Sequence, residues 1–89
     1  MSAYALQTAP AAERSLQRLP ESAAAAIVEF MTGALLAEPH RLGKPLHAPY
    51  LGWRAARRGA YRVVYRVNEQ VGVVLVTKID HRADIYRPR

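Results

Sequence analysis

Cysteine is missing from all 89 residues, which excludes a disulfide framework and any thiolate metal site. That usage suits a reducing compartment. No apolar run approaches the roughly 18 residues of a membrane span. The opening MSAYALQT lacks the basic start and apolar core of a signal peptide, so a soluble cytoplasmic protein with no membrane attachment is expected. A glycine-rich phosphate loop is also missing, because GKPL at 43–46 has neither the glycine spacing nor the hydroxyl of a nucleotide loop. No Ser-His-Asp order or His-x-x-x-His spacing occurs, so neither a metal nor a cofactor is expected.

Acidic residues become scarce past the middle of the chain. Residues 1–40 carry two arginines against four glutamates, a balance of −2, and residues 41–89 carry eleven Lys/Arg against three acids, a balance of +8. A basic half beside a mildly acidic half implies a polyanionic partner, and nucleic acid is the commonest. Glu13, Glu21 and Glu29 are spaced as solvated helix charges rather than as a catalytic carboxylate pair. At this size a domain buries about 60–65% of its unfolded surface, so one modest core is expected in a single domain spanning 1–89.

Alternation of Tyr4 and Leu6 against Ala5 and Gln7 predicts a short strand over 3–8. Ala9, Ala12, Leu16 and Leu19 recur at helical spacing until Pro20. A second helix follows, with Ala23, Ala26, Ile27, Phe30, Met31, Ala34 and Leu35 on one apolar stripe, ending by residue 38 before Pro39. Core packing is the preferred reading of that stripe. Residues 39–52 read as an ordered connector, because Leu42, Leu46, Tyr50 and Leu51 call for burial among its prolines and glycines. His40 and His47, which lie there, are read as structural. From Trp53 the pattern changes to period two, predicting strands near 53–58, 60–68 and 71–79, with a short last strand over 83–87. The expected architecture is α+β: an antiparallel twisted sheet of 4–5 strands with a helical hairpin on one face, in the order β-α-α-β-β-β.

Gly59-Ala60 suits a two-residue hairpin turn. That turn pairs Arg58 with Tyr61 and Arg57 with Arg62. Trp53, Ala55, Arg57, Arg62, Val64 and Arg66 then share one face, and Tyr61, Val63, Tyr65, Val67 and Ala56 share the other, better core. Opposed arginines repel, and a phosphate bound between them is expected to be what relieves that repulsion. The alternative is a solvated face whose arginine stems cover apolar neighbours. Trp53 offers a stacking surface for a base. In the tail, KIDHRADIYRPR, His81 ends a strand inside a basic region and carries an imidazole able to give or take a proton, so it is the candidate acid or base. Tyr86 is a further donor. Arg54, Arg58, Arg66, Arg82, Lys44 and Trp53 are expected to hold RNA or phosphate around Arg57 and Arg62. Such a set is enough to cleave RNA through its own 2′-hydroxyl.

Leu19-Pro20, Pro39 with RLGKPL at 41–46, Leu51-Gly52, ARRGAYRVVY at 56–65 and HRADIYR at 81–87 together resemble the RelE toxins of the RelE/ParE superfamily, over nearly the whole chain. The resemblance implies a ribosome-dependent mRNA endonuclease acting in the ribosomal A site without metal and leaving a 2′,3′-cyclic phosphate. It implies a cognate RelB-like antitoxin as partner, with operator DNA bound only through the antitoxin complex. It also implies a catalytic role for Arg62, a substrate-orienting role for Tyr86 and a basic position at Arg57. The family's best-studied member has two lysines on the strand before the turn, where Trp53 and Ala55 stand here, and a basic residue where Asp80 stands. Those departures leave His81 to carry the proton. They also keep two other readings open: a ParE-like inhibitor of DNA gyrase that cuts no nucleic acid, and a degenerate, non-catalytic toxin.

Overall fold

A computed structural model describes residues 4–81. Strand β1 (Ala5–Thr8) leads into helices α1 (Pro10–Arg18) and α2 (Glu21–Thr32). Two single turns follow, α3 (Ala34–Ala37) and α4 (Pro39–Leu42). Then come β2 (Lys44–Pro45), β3 (Arg54–Arg58), β4 (Tyr61–Asn68) and β5 (Val73–His81). The five strands form one sheet in the order β1-β5-β4-β3-β2.

Strands β2 to β5 are antiparallel, as the alternation implies. β1 pairs parallel with β5, with Leu6 beside Val74 and Thr8 beside Val76. A parallel pair needs a long crossover, which the helices and the other strands supply. The α+β architecture with helices on one face is therefore as expected, with a mixed sheet. The expected last strand over 83–87 lies outside the described residues.

One face of the sheet is sealed. Ala12, Ile27, Met31, Leu35 and Leu36 from the helices meet Ala56, Val63, Tyr65, Val74, Val76 and Ile79 from the sheet. Each large aliphatic side chain removed from water there contributes about 1.5–3 kcal/mol. Gly33 divides the expected long helix, and Leu35 and Leu36 reach the core from α3 instead. Among the described residues, no helix is long and apolar enough to cross a membrane.

The connector is ordered as expected, but not by the expected burial, since Leu42, Tyr50 and Leu51 are exposed. Pro39 opens α4, where its missing N–H has no helical partner to lose. A four-residue helix leaves its carbonyls unpaired. The Tyr65 hydroxyl donates to the Pro39 carbonyl, and Arg54 Nη2 donates to the carbonyls of His40 (2.5 Å) and Gly43 (2.6 Å). Burial pushes the Tyr65 hydroxyl above its ordinary pKa, and Arg54 beside it acts in the opposite direction. Gly43 is buried against the same tyrosine, and a Cβ on it would fall 2.1 Å from the hydroxyl oxygen. A second tie joins the chain start to the β4–β5 turn. Tyr4 donates to the Glu69 carboxylate, and His40 Nε2 lies 3.2 Å from Glu69 Oε2.

Candidate active site

The β3–β4 turn has Gly59 at φ 60°, a left-handed conformation that glycine adopts without strain. The register follows from it: Arg58 faces Tyr61, Arg57 faces Arg62, Ala56 faces Val63 and Ala55 faces Val64. Ala56, Val63 and Tyr65 are buried under the helices, and Arg57 and Arg62 lie on the face away from them. β2 adds a third cation to that face, because Lys44 pairs directly with Ala55. Lys44, Arg57 and Arg62 line one cleft of about 390 Å³ with Leu42, Leu46 and Ala55. Among the described residues, none of the three cations takes part in an ion pair. The small Ala55 side chain leaves the floor of the cleft open between them.

On its other side Arg62 faces β5, where it pairs with Asp80. Asp80 Oδ2 lies 3.4 Å from Lys78 Nζ, and its side chain is 24% exposed. The register thus sets a carboxylate-bearing residue directly across from Arg62, and among the described residues that carboxylate is ion-paired with Lys78 and not with the arginine. Five cations, Lys44, Arg57, Arg62, Arg66 and Lys78, against this one carboxylate leave the face strongly positive.

A bulge in β5 decides what faces the cleft. Val64 pairs with Lys78 and Tyr65 pairs with Val76, so Thr77 is an extra residue, with its hydroxyl 3.3 Å from the Val64 carbonyl. Simple alternation from Val74 and Val76 would turn Asp80 toward the helices and His81 toward the cleft. The extra residue reverses this. Ile79 is buried, Asp80 joins Arg62, and His81 pairs with Tyr61 on the helix side, their rings edge to face at 5.2 Å. The expectation that His81 works beside Arg57 and Arg62 is corrected accordingly: the two arginines and the histidine lie on opposite faces.

The other expected phosphate ligands are dispersed. Arg58 shares the Tyr61 side of the hairpin. Arg54 pairs with Tyr65, and its guanidinium is engaged with the connector carbonyls rather than open for RNA. Arg66 does lie on the open face, with its guanidinium carbon 5.3 Å from the centroid of the Trp53 ring. Arg and Trp there cover one another, so one face of the indole is already occupied. Arg82 and Tyr86 lie outside the described residues. Period-two counting gives no signal for Asp80 or Lys78 as parts of the site, because the bulge at Thr77 re-phases the strand before them.

A family model described as the ParE toxin of the type II toxin-antitoxin system, parDE, matches residues 6–86. The chain belongs to this toxin family. Within it, toxin RelG of Mycobacterium tuberculosis is 45% identical over 84 residues, covering 94% of this chain and 97% of RelG. Toxin RelE of the same organism is 49% identical, covering 94% of this chain and 87% of that protein. The toxin-antitoxin complex RelBE2 of M. tuberculosis contains a chain that superposes with a TM-score of 0.86 at 42% identity, covering 89% of this chain and 98% of its own. The resemblance in the RLGKPL and RRGAYRVVY segments thus extends through the fold. In this toxin, the first segment supplies Lys44 and the second supplies Arg57 and Arg62, on adjoining strands of one cleft.

Proposed function

We propose that this toxin is a ribosome-dependent endoribonuclease that cleaves mRNA in the cytoplasm and is neutralised by a cognate RelB-like antitoxin. Lys44, Arg57 and Arg62 hold the scissile phosphate. Guanidinium groups bind phosphate oxygens through paired hydrogen bonds, and an ammonium adds a point charge. As the 2′-oxygen attacks, negative charge builds on the equatorial oxygens, and cations already in place stabilise it at no further cost of reorganisation. One observation carries this reading: three cations without ion-pair partners among the described residues line a single open cleft. The antitoxin partner is supported by the similarity to the toxin of the RelBE2 complex.

Arg62→Ala is expected to abolish growth inhibition and mRNA cleavage while the thermal melt stays cooperative. A soluble, folded Arg62→Ala protein that remains fully toxic would count against the assignment. The second reading, inhibition of DNA gyrase, draws on the ParE description of the matching family model. The RelG and RelE relatives favour the RNA reading. Primer extension on message from cells expressing the toxin separates the two. Discrete cuts support the endoribonuclease, whereas intact message with a DNA-damage response supports gyrase inhibition.

A further inference from the structure

The open sheet face around the cleft carries donors in quantity but few groups able to take a proton. On the open face, β2 to β5 present Lys44, Arg57, Arg62, Arg66 and Lys78, whose ammonium and guanidinium groups are donors without an acceptor. Asp80 is the one carboxylate that the paired residues of these strands place there, directly across from Arg62. His81 is turned to the other face by the bulge at Thr77. The Asp80 side chain is partly sheltered, and the Lys78 ammonium lies beside one of its oxygens.

We infer that Asp80 is the general base of this site, taking the proton from the attacking 2′-hydroxyl. The inference rests on the endoribonuclease reading above. An Asp80 carboxylate oxygen accepts the 2′-hydroxyl proton as the 2′-oxygen forms its bond to phosphorus. The bond from phosphorus to the 5′-oxygen breaks, and its electron pair leaves with that oxygen, which takes a proton from solvent. Asp80 then returns its proton to solvent. The products are a 2′,3′-cyclic phosphate and a 5′-hydroxyl, and no other reactant is needed. Placing the base next to Arg62 puts proton removal and charge stabilisation on adjoining strands around one phosphate. Lys78 keeps the carboxylate oriented in the same step.

A plain counter-ion for Arg62 would behave differently from a base, and two measurements distinguish them. Both use ribosomes programmed with message. Binding is measured on a message carrying a single 2′-deoxy nucleotide at the cut position, and single-turnover cleavage is measured on the ribose message across pH. For a base, Asp80→Asn slows cleavage by about 10²–10⁴-fold. Binding to the deoxy message is retained or tightened, because a negative charge has left the open face beside the cleft. The rise of wild-type rate on the acid side of the pH profile flattens in Asp80→Asn, and Asp80→Glu restores part of it. His81→Gln serves as the comparison on the opposite face. The assignment is overturned if Asp80→Asn cleaves as fast as wild type, if binding falls in parallel with cleavage, or if His81→Gln shows the larger loss. If wild type leaves the ribose message uncut, the endoribonuclease reading fails and Asp80 loses its role with it. A cut message with an unaffected Asp80→Asn variant removes only the role of Asp80.

Discussion

Gly43 shows how much of this fold hangs on a single missing carbon. A Cβ there would lie 2.1 Å from the Tyr65 hydroxyl oxygen, and that hydroxyl holds the Pro39 carbonyl. Gly43→Ala is expected to destabilise the protein by about 1–3 kcal/mol, as other insertions into packed sites do. Urea denaturation would measure it. Adding Tyr65→Phe should recover only part of the loss, because the ring carbons Cζ and Cε1 lie 2.7 and 2.9 Å from the same point. Arg54 belongs to the same assembly. Its charge was legible in the sequence but its task was not, since two backbone carbonyls eleven and fourteen residues away claim its guanidinium. A residue's type announces what it can bind and not what will reach it first.

At the scale of elements, the hairpin was the most legible part. Gly59-Ala60 set the turn, the turn set the register, and the register put Arg57 opposite Arg62. The end of β5 was not legible, because a bulge leaves no mark in a run of alternating residues. Thr77 is as good a strand residue as its neighbours. The connector was half legible: it is ordered, but by hydrogen bonds from Tyr65 and Arg54 and not by burial of Leu42, Tyr50 and Leu51, which stay exposed, and the turn of α4 and the two residues of β2 are too short for any periodicity to show. The tie among Tyr4, His40 and Glu69 gathers three segments far apart in the chain, beyond the reach of local pattern. It has a measurable signature. The Tyr4 hydroxyl, and His40 to a lesser degree, hold the Glu69 carboxyl below its usual value of 4.5. A lowered carboxyl contributes stability that is fully present above that value and is lost as pH falls through the folded one. Wild type should therefore lose melting temperature relative to Glu69→Gln as pH drops below 4.5. Equal acid sensitivity in the two proteins would show that the tie is not formed in solution.

For the molecule as a whole, the helices take one face of the sheet and leave the other to charge. The net charge of +6 is concentrated in the half of the chain that builds β2 to β5. Such a surface attracts polyanions at long range and does so less in salt. The dependence of affinity on salt therefore counts the cations in use. On a single-stranded, 2′-deoxy oligonucleotide, removing Lys44 or Arg57 should lower the slope of log affinity against log salt by about 0.7 each. Arg54→Ala should leave that slope nearly unchanged, since its guanidinium is engaged inside the protein. An equal fall for Arg54 would mean that the connector opens when nucleic acid binds.

The extra residue at Thr77 also makes the site sensitive to the length of its own strand. Asp80 and His81 are neighbours in sequence that look out from opposite sides of one ribbon. Loss of a single codon at the bulge would re-phase everything after it, carrying the imidazole into the cleft and the carboxylate beneath the helices. Which of two proton carriers meets the phosphate is thus a matter of counting rather than of chemistry, and a one-residue indel would alter this toxin more deeply than many substitutions.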